Sequence, residues 1–176
     1  RPVSIKKTAA PHYKAHVQAH ETAVIDAGCE VGEGTKIWHF SHVIKGSKIG
    51  RDCNVGQNVV IGPDVTIGNQ CKIQNNVSIY TGVVIEDDVI VGGLSGVHQW
   101  VRIGKGAIIG ALSMVTNDVI PYGLVQAPRG ELDGLNLVGL KRRGVARADI
   151  TALRAALQLP AQGHGPFQNR APQFRN

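Results

Sequence analysis

From Ile25 to Val115, every sixth residue is Ile or Val, sixteen positions without exception. The residue two places earlier is always small or narrow, from Ala23 and Cys29 through Val59 and Val65 to Ser113. Gly follows the aliphatic residue in eight of the sixteen units. A period of six matches neither the 3.6 of a helix face nor the 2.0 of a simple strand. It predicts a prism with three short strands per coil and six residues per side. Each aliphatic residue then points inward and stacks on its equivalent eighteen residues later. Neighbouring coils lie about 4.8 Å apart, the ordinary strand spacing. Glycine and other small residues serve the tight corners.

The pattern divides the chain. Residues 1–22 have no clear period and read as an N-terminal arm or an imperfect first coil. Residues 23–118 form the prism, which ends at "DVIPYG", where Pro121 is expected to stop the ladder. Residues 119–158 read as a loop and two short helices, "DGLNLVGLKRRG" and "ADITALRAALQ", with Asp133 and Asp149 as N-caps. A small helical cap fits the open apolar end of such a prism. Residues 159–176, rich in Pro, Gly, Gln and Asn, read as a disordered tail.

The six-residue period is that of the hexapeptide-repeat left-handed parallel β-helix, and the chain resembles that family over residues 23–118. The fold class is therefore expected to be an all-β solenoid with a C-terminal helical cap. Most members are acyltransferases that work as homotrimers, with active sites in the clefts between neighbouring prisms. Two finer resemblances follow. Residues about 24–92, with "GEGTKIWHFSHV" and "CKIQNNVSIYTGVVIEDDVIVG", resemble N-acetyltransferases of UDP-linked amino sugars, of the 2-acetamido-3-amino-glucuronate type, that serve O-antigen. Residues about 90–157, with "GLSGVHQWVRIG" and "GLNLVGLKRRG", resemble UDP-N-acetylglucosamine acyltransferase of lipid A synthesis. The seam near Gly92 leaves the six-residue register undisturbed, and the chain reads as a composite.

What the lipid A resemblance implies is specific. The "VHQ" pair places His98 and Gln99 in a nucleotide-sugar site, together with Asn136, Arg142 and Arg143 of "NLVGLKRRG". Ala111 falls at the far end of the acyl groove. The family's general-base His has no counterpart. Its place is taken by Pro63, beside a retained Asp64, and a second His expected near Tyr80–Gly82 is also absent. The amino-sugar enzymes' active-site Asn segment is missing too. The resemblance implies no bound cofactor. It implies an acyl thioester as co-substrate, on acyl carrier protein or as acetyl-CoA, and a UDP-sugar acceptor carrying a hydroxyl or an amine. A catalytically inactive trimeric scaffold is the alternative outside enzymes.

Several residues carry two readings from the sequence alone. His98 follows an inward Val97 and so points outward at a corner, as a binding group or as a solvent-facing residue. Asn75 and Asn76 suit either a ladder between coils or a cleft. Lys141, Arg142 and Arg143 suit either a solvated helix face or phosphate binding. His39 and His42 lie three apart, a spacing that turns them in different directions on a β-helix. No zinc or other metal site is expected from them. His39, Trp38 and Phe40 suit a trimer interface or an acceptor cleft, and Ile44, Leu94 and Leu112 add apolar surface for subunit contact. The glycines of "VGGLSG" fall at corners and do not signal a nucleotide loop.

Charge and cysteine content narrow the setting. A net charge of +6 suits phosphate-bearing or acidic partners. Nucleic acid is not expected, because no aromatic-rich basic stripe accompanies that charge. The three cysteines lack a C-x-x-C spacing and all occupy the small inward position, as structural thiols in a reducing compartment. No run of residues is apolar enough for a membrane span, and the opening "RPVSIKKTAAPHYK" has no secretory core, so a cytoplasmic protein is expected.

Overall fold

The computed structural model describes residues 17–127 and 131–158. The N-terminal arm up to residue 16 and the tail 159–176 lie outside the described residues. The chain forms a β-solenoid of about six turns built from two-residue strands at six-residue spacing. Three faces result. Face one runs from Gln18–Ala19 through Lys36–Ile37, Asn54–Val55, Lys72–Ile73 and Ile90–Val91 to Ile108–Ile109 and Gly123–Gln126. Face two runs from Val24–Ile25 to Met114–Val115, and face three from Glu30–Val31 to Arg102–Ile103. All these strands pair in parallel and, up to the last coil, each residue pairs with the one eighteen positions on, as Ile73 with Val91 and Ile79 with Val97.

The inward aliphatics form one continuous core, with Val43, Val55, Ile61, Ile73, Val91 and Ile103 fully enclosed. The small residue two places earlier does more than save space. Ser41, Ser47 and Ser95 donate to the carbonyls of Gly56, Gly62 and Gly110 in the next coil, and their oxygens accept from the N–H of Val59, Val65 and Ser113. Thr35 does the same with Gly50 and Cys53. The corners leave these backbone groups outside the ladder, and a buried unpaired amide or carbonyl costs on the order of 1–3 kcal/mol. The hydroxyls remove that cost.

Each corner also needs one residue in the left-handed region, among them Phe40, Asp64, Gly82, Leu94, Trp100 and Leu112. In that conformation its N–H reaches the carbonyl nineteen positions earlier, as Trp100 N to Thr81 O at 3.0 Å and Leu94 N to Asn75 O at 3.0 Å.

The ladder begins at Gln18, where an imperfect first coil was one of the two readings of the N-terminal segment, because Ala19 continues the six-residue series below Ile25. The expected stop at Pro121 is corrected: the ladder continues past it. The last coil is two residues shorter, pairing Leu124 with Ile108, and Pro121 sits at a corner where no N–H is required. Gly123–Gln126 then pairs antiparallel with Glu131–Leu135. Two helices follow, α1 (Leu137–Arg142) and α2 (Arg147–Gln158). Asp133 lies in the strand and Asp149 in the first turn of α2, so neither is an N-cap; Asn136 caps α1. Leu140 of α1 is fully buried. Among the described residues no helix is long and apolar enough to cross a membrane.

Replacing the enclosed Ile61 by Ala should lower unfolding free energy by about 2–5 kcal/mol in denaturant titration. Lys48→Ala, on the outside of face three, should stay within about 0.5 kcal/mol.

Candidate functional site

The second corner, between faces two and three, carries the residues first singled out. Val97 turns inward, and His98 and Gln99 are exposed, with the His98 N–H held by Val115 O at 2.9 Å. Tyr80 lies one coil below His98, and Thr81 one coil below Gln99. Pro63 lies one coil lower again in the Gln99 column, where the ladder needs no N–H, so the ring is accommodated without loss. Its carbonyl accepts from Gly82 N at 3.1 Å. Asp64 beside it is exposed, in the left-handed conformation. Along this column Lys45, Pro63, Thr81 and Gln99 offer no imidazole.

Asn136, Arg142 and Arg143 are placed elsewhere. Asn136 is nearly buried at the third corner, between faces three and one. Its Nδ2 donates to Gly106 O at 2.9 Å, and its Oδ1 accepts from Gly139 N at 2.9 Å. Both ends of that amide are committed inside the chain. Arg143 is held by Asp88 at 3.3 Å and lies 5.7 Å over the Tyr122 ring. The two residues fasten the cap to the prism, a duty the resemblance did not suggest. Arg142 is exposed and forms no ion pair among the described residues. Within one chain, then, the width of face three separates His98 and Gln99 from Asn136 and Arg143.

The first corner, between faces one and two, holds a groove of about 540 Å³. Its walls include Trp38, Asn54, Gln57, Gln74, Asn75 and Leu94, with Asn76 beside them and no charged side chain. Asn75 is at once a ladder residue, accepting from Gln57 N at 2.9 Å, and a groove wall. Trp38 is oriented by its indole N–H, which donates to Asn54 Oδ1 at 2.9 Å. Ala111 lies two coils above Asn75 in the same column and is exposed. Trp38 was expected at an interface or a cleft, whereas Asn54, Gln57 and Gln74 were not foreseen as groove residues. The signal was the eighteen-residue stacking itself, which puts Trp38, Gly56 and Gln74 in one column and opens it at the glycine.

The two histidines of "WHFSHV" diverge. His39 stacks on His20 with ring centroids 3.5 Å apart, and its Nδ1 is buried without a partner among the described residues. His42 turns to Asp26, Nε2 to Oδ1 at 3.0 Å, and that hydrogen bond holds the Asp26 carboxyl below its ordinary range. Cys53 and Cys71 are buried, each thiol donating to a carbonyl of the next coil. The neighbouring Cys53 thiol, followed by burial, pushes the Cys71 thiol above its ordinary value, the direction expected of an enclosed structural thiol. Among the described residues no three His, Cys, Asp or Glu side chains converge as a metal ion would require.

Comparison with known proteins follows the same geography. A family model described as "GMPPB C-terminal domain" matches residues 39–133, a little over half of the chain. One described as "Udp N-acetylglucosamine O-acyltransferase; Domain 2" matches residues 118–176. The acyl-[acyl-carrier-protein]–UDP-N-acetylglucosamine O-acyltransferase of Paracoccus denitrificans is 49% identical over 158 residues, 89% of this chain and 55% of that protein. The enzyme of the same name from Agrobacterium fabrum is 36% identical over 152 residues, 86% of this chain and 52% of that protein. The chain thus spans about half the length of these curated relatives. The Paracoccus match is long enough to cross Gly92, so both stretches have a counterpart in one protein. Among solved structures, UDP-N-acetylglucosamine acyltransferase from Campylobacter jejuni matches with a TM-score of 0.55 at 20% identity, over 92% of this chain and 88% of its own. Perosamine N-acetyltransferase from Caulobacter crescentus matches at 0.64 and 22% identity, over 68% and 58%. These structural matches concern the fold alone.

If Asn136 is a fastening, Asn136→Ala should lower stability by about 1–3 kcal/mol by orphaning the Gly106 carbonyl and uncapping α1. Arg142→Ala should change it by less than about 0.5 kcal/mol. Chemical denaturation followed by circular dichroism checks both.

Proposed function

Over residues 39–133 the chain belongs to the family of the GMPPB C-terminal domain, and from that premise and its likeness to UDP-N-acetylglucosamine O-acyltransferases we propose that it is a hexapeptide-repeat β-helix acyltransferase that moves an acyl group from a thioester to a UDP-N-acetylglucosamine-type sugar. The donor is acyl carrier protein, with acetyl-CoA as the alternative, and the pathway is lipid A or lipopolysaccharide synthesis in the cytoplasm. The observation that carries this reading is the outward His98–Gln99 pair at the second corner, in a "VHQ" segment within the region shared with the Paracoccus relative. An exposed amide offers donor and acceptor together, and an exposed imidazole offers a donor, which suits a nucleotide-sugar.

The groove at the first corner suits the donor. A thioester of this kind hangs on an uncharged arm with two amides, and the groove is uncharged and walled by amides with Trp38 at one end. Ala111, two coils above, leaves room for an acyl chain in the same column. Donor and acceptor lie at different corners of one prism, so the reaction needs the corner of a second copy. Face two fits that contact. Its outward residues are Val24, His42, Val60, Ser78, Gly96 and Met114, without a single Lys, Arg, Asp or Glu. Phe40, Leu94 and Leu112 stand exposed along its edge. A homotrimer closed through face two brings the first corner of one copy to the second corner of the next.

In the reaction the acceptor atom attacks the thioester carbonyl, the C–S bond breaks, and the acceptor's proton passes to the departing thiol. A hydroxyl acceptor needs a base for that proton, and Pro63 cannot serve. This favours a second reading, transfer to a sugar amine, which needs only alignment in its uncharged form. A thioester-release assay with hydroxyl- and amino-sugar nucleotides decides between them, and release with neither would leave only a folded scaffold. We expect slow hydroxyl acylation by the parent chain. Pro63→His should raise it by about 10²–10⁴-fold. An ordinary enzymatic rate in the parent, unchanged by Pro63→His, would place the base elsewhere.

A further inference from the structure

Trp100 is a residue at the second corner that the proposed reaction has not used. It has a backbone φ of 65° and its side chain is 71% exposed. A large aromatic in the left-handed region is uncommon, and a full indole held in water is a further cost. The same place in the four coils below is taken by Gly28, Gly46, Asp64 and Gly82, all small or polar. The ring is not loose. It lies down over Gly82, so closely that a Cβ added to Gly82 would come within 2.2 Å of two ring carbons. Residue 82 must therefore be Gly for the indole to lie flat. One face of the ring is supported by the coil below and the other is open to solvent.

The neighbours indicate what lies on the open face. Gln99 and His98 precede Trp100 directly and are both exposed, so a side-chain amide, an imidazole and an indole face share one edge. Arg102, two residues on, is turned away by its ion pair with Glu86. A pyrimidine base has a flat face to stack and an imide edge that pairs with an amide, and the diphosphate attached to it accepts from an imidazole. A flat aromatic surface beside an amide suits that ligand better than it suits a bare sugar or an alkyl chain.

We propose that Trp100, laid flat over Gly82, is the stacking platform for the pyrimidine base of the acceptor nucleotide, and so a specificity-determining residue of this site. The proposal rests on the acceptor reading above and adds to it a residue and a contact. Gly82 is a positioning residue, acting through the ring it supports.

The chain has two tryptophans, Trp38 and Trp100, so Trp38→Phe isolates the signal. In that variant, UDP and UDP-N-acetylglucosamine should quench Trp100 emission and shield it from acrylamide, and pyrophosphate should do neither. By calorimetry, Trp100→Ala should weaken both nucleotides by about tenfold or more, with Trp100→Phe recovering most of the loss. Gly82→Ala, which keeps the indole but lifts it from its seat, should weaken them as well. If Gly82→Ala does not fold, the Trp100 variants and the emission titration decide alone. Binding of UDP-N-acetylglucosamine with Trp100 emission unchanged, or with equal affinity in Trp100→Ala, overturns the platform and leaves the acceptor reading standing. No binding of either nucleotide to the parent chain overturns both.

Discussion

Pairing each residue with the one eighteen positions later is the constraint from which the rest of this molecule follows. It is enforced twice. The backbone ladder fixes it on the three faces, and the stacked Ile and Val columns fix it inside, since a slip of one residue would turn every inward aliphatic outward. Where two glycine corners stack closely, no side chain fits. A Cβ on Gly50 would come within 2.5 Å of Gly68 O, and one on Gly92 within 2.4 Å of Ala111 N. Coil spacing, column and outward direction are thereby set before any functional residue is chosen.

Function then becomes a question of which column a side chain occupies. The third corner is spent on fastening the cap, through Asn136, Arg143 and Asp88. The second corner presents His98 and Gln99 above a column in which Pro63 stands where a base was expected. The first corner opens a groove because Gly56 and Gly93 carry no side chain between the amides. The left-handed corner position matters in the same way. Where it holds Phe40, Leu94, Trp100 or Leu112, a strained backbone carries a large apolar side chain into solvent. Such a cost persists where contact with something outside the chain is at stake.

Much of this was legible in the sequence because a six-residue period has few physical solutions. The inward series, the burial of Cys53 and Cys71 and the outward direction of His98 all follow from counting. Ala19 already extended the series to the first coil, but Ala is too common for one position to be decisive. Other features depend on tertiary contacts that no period encodes. Pro121 reads as a stop only while the last coil is assumed to be full length, and its two missing residues move Pro121 to a corner. Asp133 is as good a cap by composition as Asn136, but the antiparallel strand Glu131–Leu135 occupies its segment. The serine hydroxyls that bridge coils read from sequence as merely small residues. Arg143 carries the charge expected of a phosphate contact, and only the position of Asp88 shows how that charge is used.

The account joins these columns into a site only if a second prism brings its first corner to this one's second corner. Face two is the surface able to do so, since its outward residues include no Lys, Arg, Asp or Glu. Face one carries Lys36 and Lys72, and face three carries Glu30, Lys48 and Arg102. The most direct test is the mass in light scattering at micromolar concentration, for the parent chain and for Val60→Glu and Met114→Glu, which place a carboxylate on face two. The account predicts three times the 18.7 kDa of one chain for the parent, falling toward a single chain in both variants. A monomeric parent, or a trimer indifferent to both substitutions, would contradict it.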